Sequence, residues 1–202
     1  MAALTTLFVD LGGVLVTVDL AAGCRRIAQL AGGGDPEAIR DVMLDGFQPA
    51  LSSGKMSVED FHAGVCRRLG LEIGLADFSR AYADIFAPIE GTWGLLRMAQ
   101  RRYRLHLLSN TDPLHFRFIA DVLLPGRFDL FGHLVLSYEA GHLKPSPEIY
   151  LAALERCGEP AQSCLFIDDL EVNVEGARAV GMQGIVFRSP EKLARDLVRA
   201  AW

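Results

Sequence analysis

After Pro88 the chain alternates between short apolar runs and helical patterns, and this alternation constrains the fold more than any other feature. A helix is predicted around Thr92–Arg102, then the apolar strand Arg104–Ser109 and a helix around Pro113–Leu123. A strand at Leu134–Ser137, a helix at Pro147–Cys157 and a strand at Cys164–Asp168 follow. A helix at Val172–Val180, a strand at Gly184–Phe187 and a terminal helix complete the series. Strands separated by helices belong to a parallel sheet covered on both faces. One more strand, Thr5–Asp10, stands apart near the start. It is an apolar run that ends in Asp and meets Gly12-Gly13, as a buried parallel strand does at a turn.

From about Asp19 to Pro88 the chain reads almost entirely helical. Asp35-Pro36 places a capping acid before a proline at the first helical position. Ser57-Val58-Glu59-Asp60 resembles a capping box with a shortened acid. Phe61, Val65 and Leu69 then recur every four residues up to Gly70, and Phe78, Tyr82, Ile85 and Phe86 form another stripe. Both stripes are read as core packing. The predicted fold class is α/β, one core interrupted after its first strand by an α-helical insert.

The length of 202 residues suits a core domain with a smaller insert. Half the residues are hydrophobic, enough for a sizeable core. The net charge of −5 gives no sign of a nucleic-acid or membrane partner. Arg67-Arg68 and Arg101-Arg102 fall in helical patterns and read as solvated faces. Cys24, Cys66, Cys157 and Cys164 show no C-x-x-C spacing and no accompanying histidine cluster, so they are read as buried free thiols. No basic leader precedes the first strand and no apolar run reaches membrane-spanning length. Cytoplasmic localisation is the resulting expectation.

In open α/β sheets ligands bind beyond the carboxyl ends of the strands, and four polar groups lie there. Asp10 can act as a nucleophile toward phosphorus, or simply start a turn before two glycines. Ser109-Asn110 can hold phosphate oxygens, or cap the next helix. Lys144, in the loop beyond the third predicted strand, is one of only three lysines against seventeen arginines. Its compact ammonium suits a nucleophile and a phosphate together, though a solvated loop lysine fits this segment equally well. Asp168-Asp169 sets two carboxylates side by side, an arrangement that a cation relieves and that suits Mg²⁺. The four groups in this order, each beyond a predicted strand, are far more specific than any one of them.

The segments F-V-D-L-G-G-V-L, L-L-S-N-T-D-P-L-H, H-L-K-P-S-P-E-I-Y and F-I-D-D-L-E-V-N-V-E-G-A-R-A-V-G-M resemble those of the haloacid-dehalogenase-like hydrolases. The wording is most similar to the branch containing bacterial α-D-glucose-1-phosphate phosphatases. The resemblance implies a Rossmann-like three-layer core over residues 1–16 and 88–202 and a small α-helical cap over 17–87. It implies a Mg²⁺-dependent phosphatase acting on a small phosphorylated metabolite such as a sugar phosphate, as a monomer or homodimer. Asp10 would be the nucleophile and a metal ligand, joined by the backbone carbonyl of Gly12 and by Asp169. Ser109 and Asn110 would hold the phosphoryl group, and Lys144 would offset charge between it and Asp10. Asp168 and Asn173 would form the outer shell. Phe47, Gln48 and Lys55 fall in a predicted cap loop that could face the site, with Phe47 read rather as core and Lys55 as solvated.

The chain departs from that pattern at Gly12, where most such phosphatases carry the Asp that serves as general acid and base. That help is worth roughly 10²–10⁴-fold. The expectation is a substrate with a good leaving group, such as an anomeric oxygen, or a substitute among Asp112, His115, Asp168 and His142. Two alternatives stand beside the phosphatase. A 2-haloacid dehalogenase also uses an aspartate nucleophile, but commonly has an aromatic residue at the Gly12 position and Ser at the Asp169 position. A non-catalytic phosphate- or partner-binding protein would tolerate Gly12.

Overall fold

The computed structural model describes residues 3–200. Five parallel strands form one sheet in the order β5-β4-β1-β6-β7: β1 Thr6–Val9, β4 Arg104–Ser109, β5 His133–Leu136, β6 Cys164–Asp168 and β7 Gln183–Val186. In β1 all four residues are buried, as expected of a strand covered on both faces. Alternation sends its side chains to opposite faces. Leu7 and Val9 join Leu105, Leu107, Leu165 and Ile167 on one face, packed with Trp93 and Leu96 of helix α6 (Glu90–Ala99) and Leu193 of helix α11 (Pro190–Ala200). Phe8, Leu108 and Phe166 face the other way, onto Ile149 and Tyr150 of α9 (Pro147–Cys157) and Ala177 of α10 (Glu171–Ala179). The result is the expected three-layer α/β core.

The insert begins and ends in a two-stranded antiparallel ribbon, β2 (Val16–Val18) with β3 (Phe86–Pro88). The sequence reading made this stretch helical as far as Pro88, and the ribbon corrects it. The ribbon lies across both predicted boundaries of the insert. Its ends are clipped by Asp19 N–H to Ile85 O at 2.8 Å and Ile89 N–H to Leu15 O at 2.9 Å. Between the strands run α1 (Leu20–Leu30), α2 (Pro36–Val42), α3 (Gln48–Ser52), α4 (Val58–Leu69) and α5 (Leu75–Ala83). The caps follow the sequence signals. Asp35 accepts from Glu37 N–H at 3.0 Å, and Ser57 Oγ accepts from Asp60 N–H at 3.0 Å. These helices enclose their own apolar cluster, including Ile27, Ile39, Met43, Phe61, Phe78 and Tyr82. A second departure from regular helix falls at Asp45-Gly46, where Gly46 adopts φ 93° and turns the chain into α3.

The last elements are α7 (Pro113–Arg117), which widens into a π turn over Phe118–Leu123, and the short α8 (Ser137–Ala140). Ser137 therefore opens a helix instead of ending the strand. All four cysteines are free thiols; Cys24 and Cys164 are buried, Cys66 and Cys157 only partly so. Among the described residues no helix is long and apolar enough to cross a membrane.

Candidate active site

Three neighbouring strands, β4, β1 and β6, deliver the site. Asp10 N–H bonds Ile167 O at 2.9 Å, which sets Asp10 level with the end of β6. The sheet order reverses at β1, since β4 and β5 lie on one side and β6 and β7 on the other. That reversal is the point at which such sheets leave a crevice.

Lys144 reaches into this crevice from the loop before α9. Its side chain is fully buried, and its ammonium lies 2.8 Å from Asp10 Oδ1 and 2.6 Å from Asp168 Oδ2. A third hydrogen goes to Leu108 O at 3.2 Å. An ammonium has three donors, so Lys144 is held in one position with none left over. Its loop is clasped by Asn110, whose amide donates to Lys144 O at 2.9 Å and whose Oδ1 accepts from Lys144 N–H at 2.8 Å. The Asn110 side chain is thus committed to positioning the lysine. That leaves only its main chain, beside Ser109 at the end of β4, for an oxyanion.

Asp168 is entirely buried, and both of its oxygens are engaged. Oδ1 accepts from Leu170 N–H at 2.8 Å and Asn173 Nδ2 at 3.0 Å, and Oδ2 accepts from Lys144 and from Asn173 Nδ2 at 3.1 Å. It positions Lys144. Asp169, half-buried, has room because Gly13 has no Cβ; one built there would lie 2.4 Å from Asp169 Oδ2. Gly13 also takes φ 74°, a conformation other residues adopt at a cost.

Carboxylate oxygens of Asp10, Asp168 and Asp169 all lie within 4.8 Å of one another. Burial raises the Asp10 carboxyl to about 7, opposed by the Lys144 charge and reinforced by Asp168. Burial and the Asp168 charge also raise Asp169. Three carboxylates share one ammonium, so the site holds an excess of negative charge that a hard divalent cation would neutralise. Both oxygens of Asp168 are already engaged, so Asp10 and Asp169 are the side chains of this cluster that could hold a cation.

Beside these groups lies a cavity of about 130 Å³, lined on the core side by Gly12, Ser109, Asn110 and Thr111. The insert closes it with Val18, Leu20, Gln48, Ile85 and Phe86. Of the other predicted cap-loop residues, Phe47 packs against Gly64. Lys55 is exposed and lines a separate groove with His142.

Three of the four candidate substitutes for a general acid are committed to other partners, and the fourth, His142, is exposed on the separate groove. Asp168 is spent as described. Asp112 is fully buried, accepts from Leu114 and His115 N–H on Oδ1, and pairs on Oδ2 with Tyr82 Oη at 2.9 Å and His115 Nδ1 at 2.7 Å. Burial pushes its carboxyl up, but His115 and these bonds outweigh that and hold it below the usual range. His115 Nε2 lies 3.2 Å from Tyr82 O, and its ring stacks on Tyr82 at 4.1 Å. The sequence reading missed this knot between α5 and α7, because Tyr82 sat within an apolar stripe and Asp112 looked like a cap alone.

A model of the haloacid dehalogenase-like hydrolase family matches residues 4–181. The chain is 25% identical to the D-ribitol-5-phosphate phosphatase of Bacteroides thetaiotaomicron over 184 residues, 86% of this chain and 87% of that protein. It is 30% identical to the glyceraldehyde 3-phosphate phosphatase of Pyrococcus abyssi over 95 residues, 46% of this chain and 39% of that one. Its structure superposes, with a TM-score of 0.83 and 26% identity, on a HAD family enzyme of Bacteroides thetaiotaomicron crystallised with magnesium and inorganic phosphate; the match covers 92% of this chain and 95% of that one.

Proposed function

The chain belongs to the haloacid dehalogenase-like hydrolase family, and we propose that it is a Mg²⁺-dependent phosphatase of a small phosphorylated metabolite, with Asp10 as nucleophile. One observation carries this reading: three carboxylates gathered around a single, fully hydrogen-bonded lysine at the carboxyl end of a parallel sheet. Such a set is under-neutralised until a divalent cation joins it.

Asp10, the Gly12 carbonyl and Asp169 are the proposed ligands. Bound there, the ion supplies neutralising charge for a phosphate dianion approaching a carboxylate. Both bonds recorded to Asp10, from Lys144 and from Leu11 N–H at 2.7 Å, fall on Oδ1, which leaves Oδ2 for attack. The attack forms an Asp10 O–P bond and breaks the bond between phosphorus and the leaving oxygen, which takes the electron pair. Lys144 favours the ionised form of Asp10 against its burial and orients it. With its donors spent, it acts on the phosphate through charge alone. Ser109 and the main chain at Asn110 hold the transferring group. Water then attacks phosphorus and returns the Asp10 carboxylate.

Gly12 provides no carboxyl for proton transfer, and Asp112, His115 and Asp168 are committed elsewhere while His142 is exposed on another groove. This supports a substrate whose leaving oxygen needs little protonation, such as an anomeric one. Residues 17–87 are proposed to serve as the cap that closes over the cavity and excludes water.

The test is a phosphate-release screen over sugar phosphates, nucleotides and phosphorylated acids, with and without Mg²⁺. Release that requires Mg²⁺ and disappears in Asp10→Asn and Asp169→Asn supports the reading. Release that survives EDTA or persists in Asp10→Asn sinks it.

A further inference from the structure

We propose that the insert sets the shape of the loop that holds the phosphoryl group, with Ser137 and Asp112 as the positioning residues that carry the coupling. The loop runs from Ser109, at the end of β4, to Asp112, the cap of α7; its role as phosphoryl holder rests on the phosphatase reading. The chain passes between core and insert only through the β2–β3 ribbon. Two buried polar ties add to that joint, and both end on this one loop. The first runs through Ser137, which opens α8 and is fully buried. Its hydroxyl accepts from Thr111 N–H at 3.0 Å, and lies 2.6 Å from Ser52 O in α3 and 3.0 Å from Thr111 O. The second tie comes from α5, where Tyr82 Oη donates to Asp112 Oδ2 at 2.9 Å.

A hydroxyl has one hydrogen. Ser137 gives it to Ser52 O, the nearer of its two carbonyls, and keeps its lone pairs for Thr111 N–H. Thr111 N–H, the Ser137 hydroxyl and Ser52 O thus form one chain, in which each bond strengthens the next. Withdrawal of the insert breaks that chain and leaves the Ser137 hydrogen only Thr111 O to turn to. Asp112 is tied in the same way. Its Oδ1 accepts from Leu114 and His115 N–H, so one carboxylate both caps α7 and holds Tyr82. The seam between insert and core is also tightly packed. Gly54, just past α3, takes φ 69°, and a Cβ there would overlap the carbonyl oxygen of Tyr138 in α8. Ser109 and Asn110 lie between β4 and these two tied residues, and the Asn110 side chain clasps the Lys144 loop. The loop is therefore pinned by the sheet at one end and by the insert at the other. A shift of the insert moves the groups that surround the phosphoryl group.

The experiment perturbs the insert and reads the loop. Gly54→Ala pushes α3 away from α8. Tyr82→Phe removes one hydroxyl and keeps the ring that stacks on His115, which guards against misfolding of the first variant. Neither replaces a group of the loop. Hydrogen–deuterium exchange of the metal-free protein, read by mass spectrometry, should quicken over residues 109–112 in both variants, at least about fivefold more than in β1. Calorimetric titration of the Mg²⁺-loaded protein with inorganic phosphate should show binding weakened at least about fivefold, although inorganic phosphate carries no leaving group for the insert to contact. Ser137→Ala, which cuts the first tie at its centre, should weaken phosphate at least as much. Parental loop exchange or parental phosphate affinity in both insert variants overturns the coupling, and so does equal quickening of the loop and β1. A parent that binds no phosphate with Mg²⁺ would count against the phosphatase reading, and the exchange rates would still decide the coupling.

Discussion

Replacing Asp10 with Asn should abolish turnover and yet stabilise the metal-free protein. Asp10 is buried, and its carboxyl is raised from 3.8 to about 7, chiefly by burial. The folded state therefore binds this proton more tightly than the unfolded chain does. At pH values below about 4 both states are protonated and nothing is lost. As the pH climbs from about 4 to about 7 the unfolded chain ionises first, and stability falls across that window. Above it the full cost applies. A displacement of that size corresponds to about 4 kcal/mol, an upper bound for a group that shares a lysine with a second carboxylate. Asn has nearly the same shape and no charge to bury, and it leaves Lys144 paired one-to-one with Asp168 at 2.6 Å. Urea or thermal unfolding in EDTA should show Asp10→Asn more stable than the parent by about 2–4 kcal/mol near pH 8. For a chain of this length that is about 5–15 °C in Tm. The difference should vanish near pH 4. Adding Mg²⁺ should stabilise the parent by mass action and the variant much less. A variant equal to or less stable than the parent at pH 8 without metal would refute the reasoning.

Gly13→Ala should weaken the metal site, because the new Cβ would meet Asp169 Oδ2 at 2.4 Å in a backbone at φ 74°; a Mg²⁺ titration of activity should show at least tenfold weaker binding. Asn173→Ala removes both amide contacts to Asp168, at 3.0 and 3.1 Å, and should lower kcat about 10–100-fold with little change in KM, read by steady-state kinetics. Gly12→Asp is sterically open, since a Cβ there meets only Val18 Cγ2 at 3.5 Å. It should accelerate phosphates with poor leaving groups by up to about 10²-fold and leave good ones unchanged, and uniform acceleration across a leaving-group series would count against the leaving-group argument.

Where a boundary is marked by local chemistry, sequence and structure agree. Strands β4 and β6 and helix α9 begin and end where they were predicted, the helix between Pro147 and Gly158. The ribbon β2–β3 was not legible, because three-residue strands carry too little periodicity and Pro88 at a strand end argues against one. In the site, Asp10, Lys144 and Asp168 converge as their positions after strands suggested. The Asn110 side chain does not face the cavity as a free group, since it closes a loop 34 residues away. That contact has no local signature. The knot of Tyr82, Asp112 and His115 has no local signature either: Tyr82 reads as part of an apolar stripe, Asp112 as a cap and His115 as a candidate general acid on its own.

The account depends on phosphorus becoming bonded to Asp10. Acid-quenching the enzyme in the first turnovers with Mg²⁺ and an active phosphate ester, then sequencing its peptides by mass spectrometry, tests this directly. The prediction is one phosphoryl group, labile to base, on the peptide containing Asp10 and absent from Asp10→Asn. An unmodified Asp10 during rapid turnover, or label on another side chain, would contradict it.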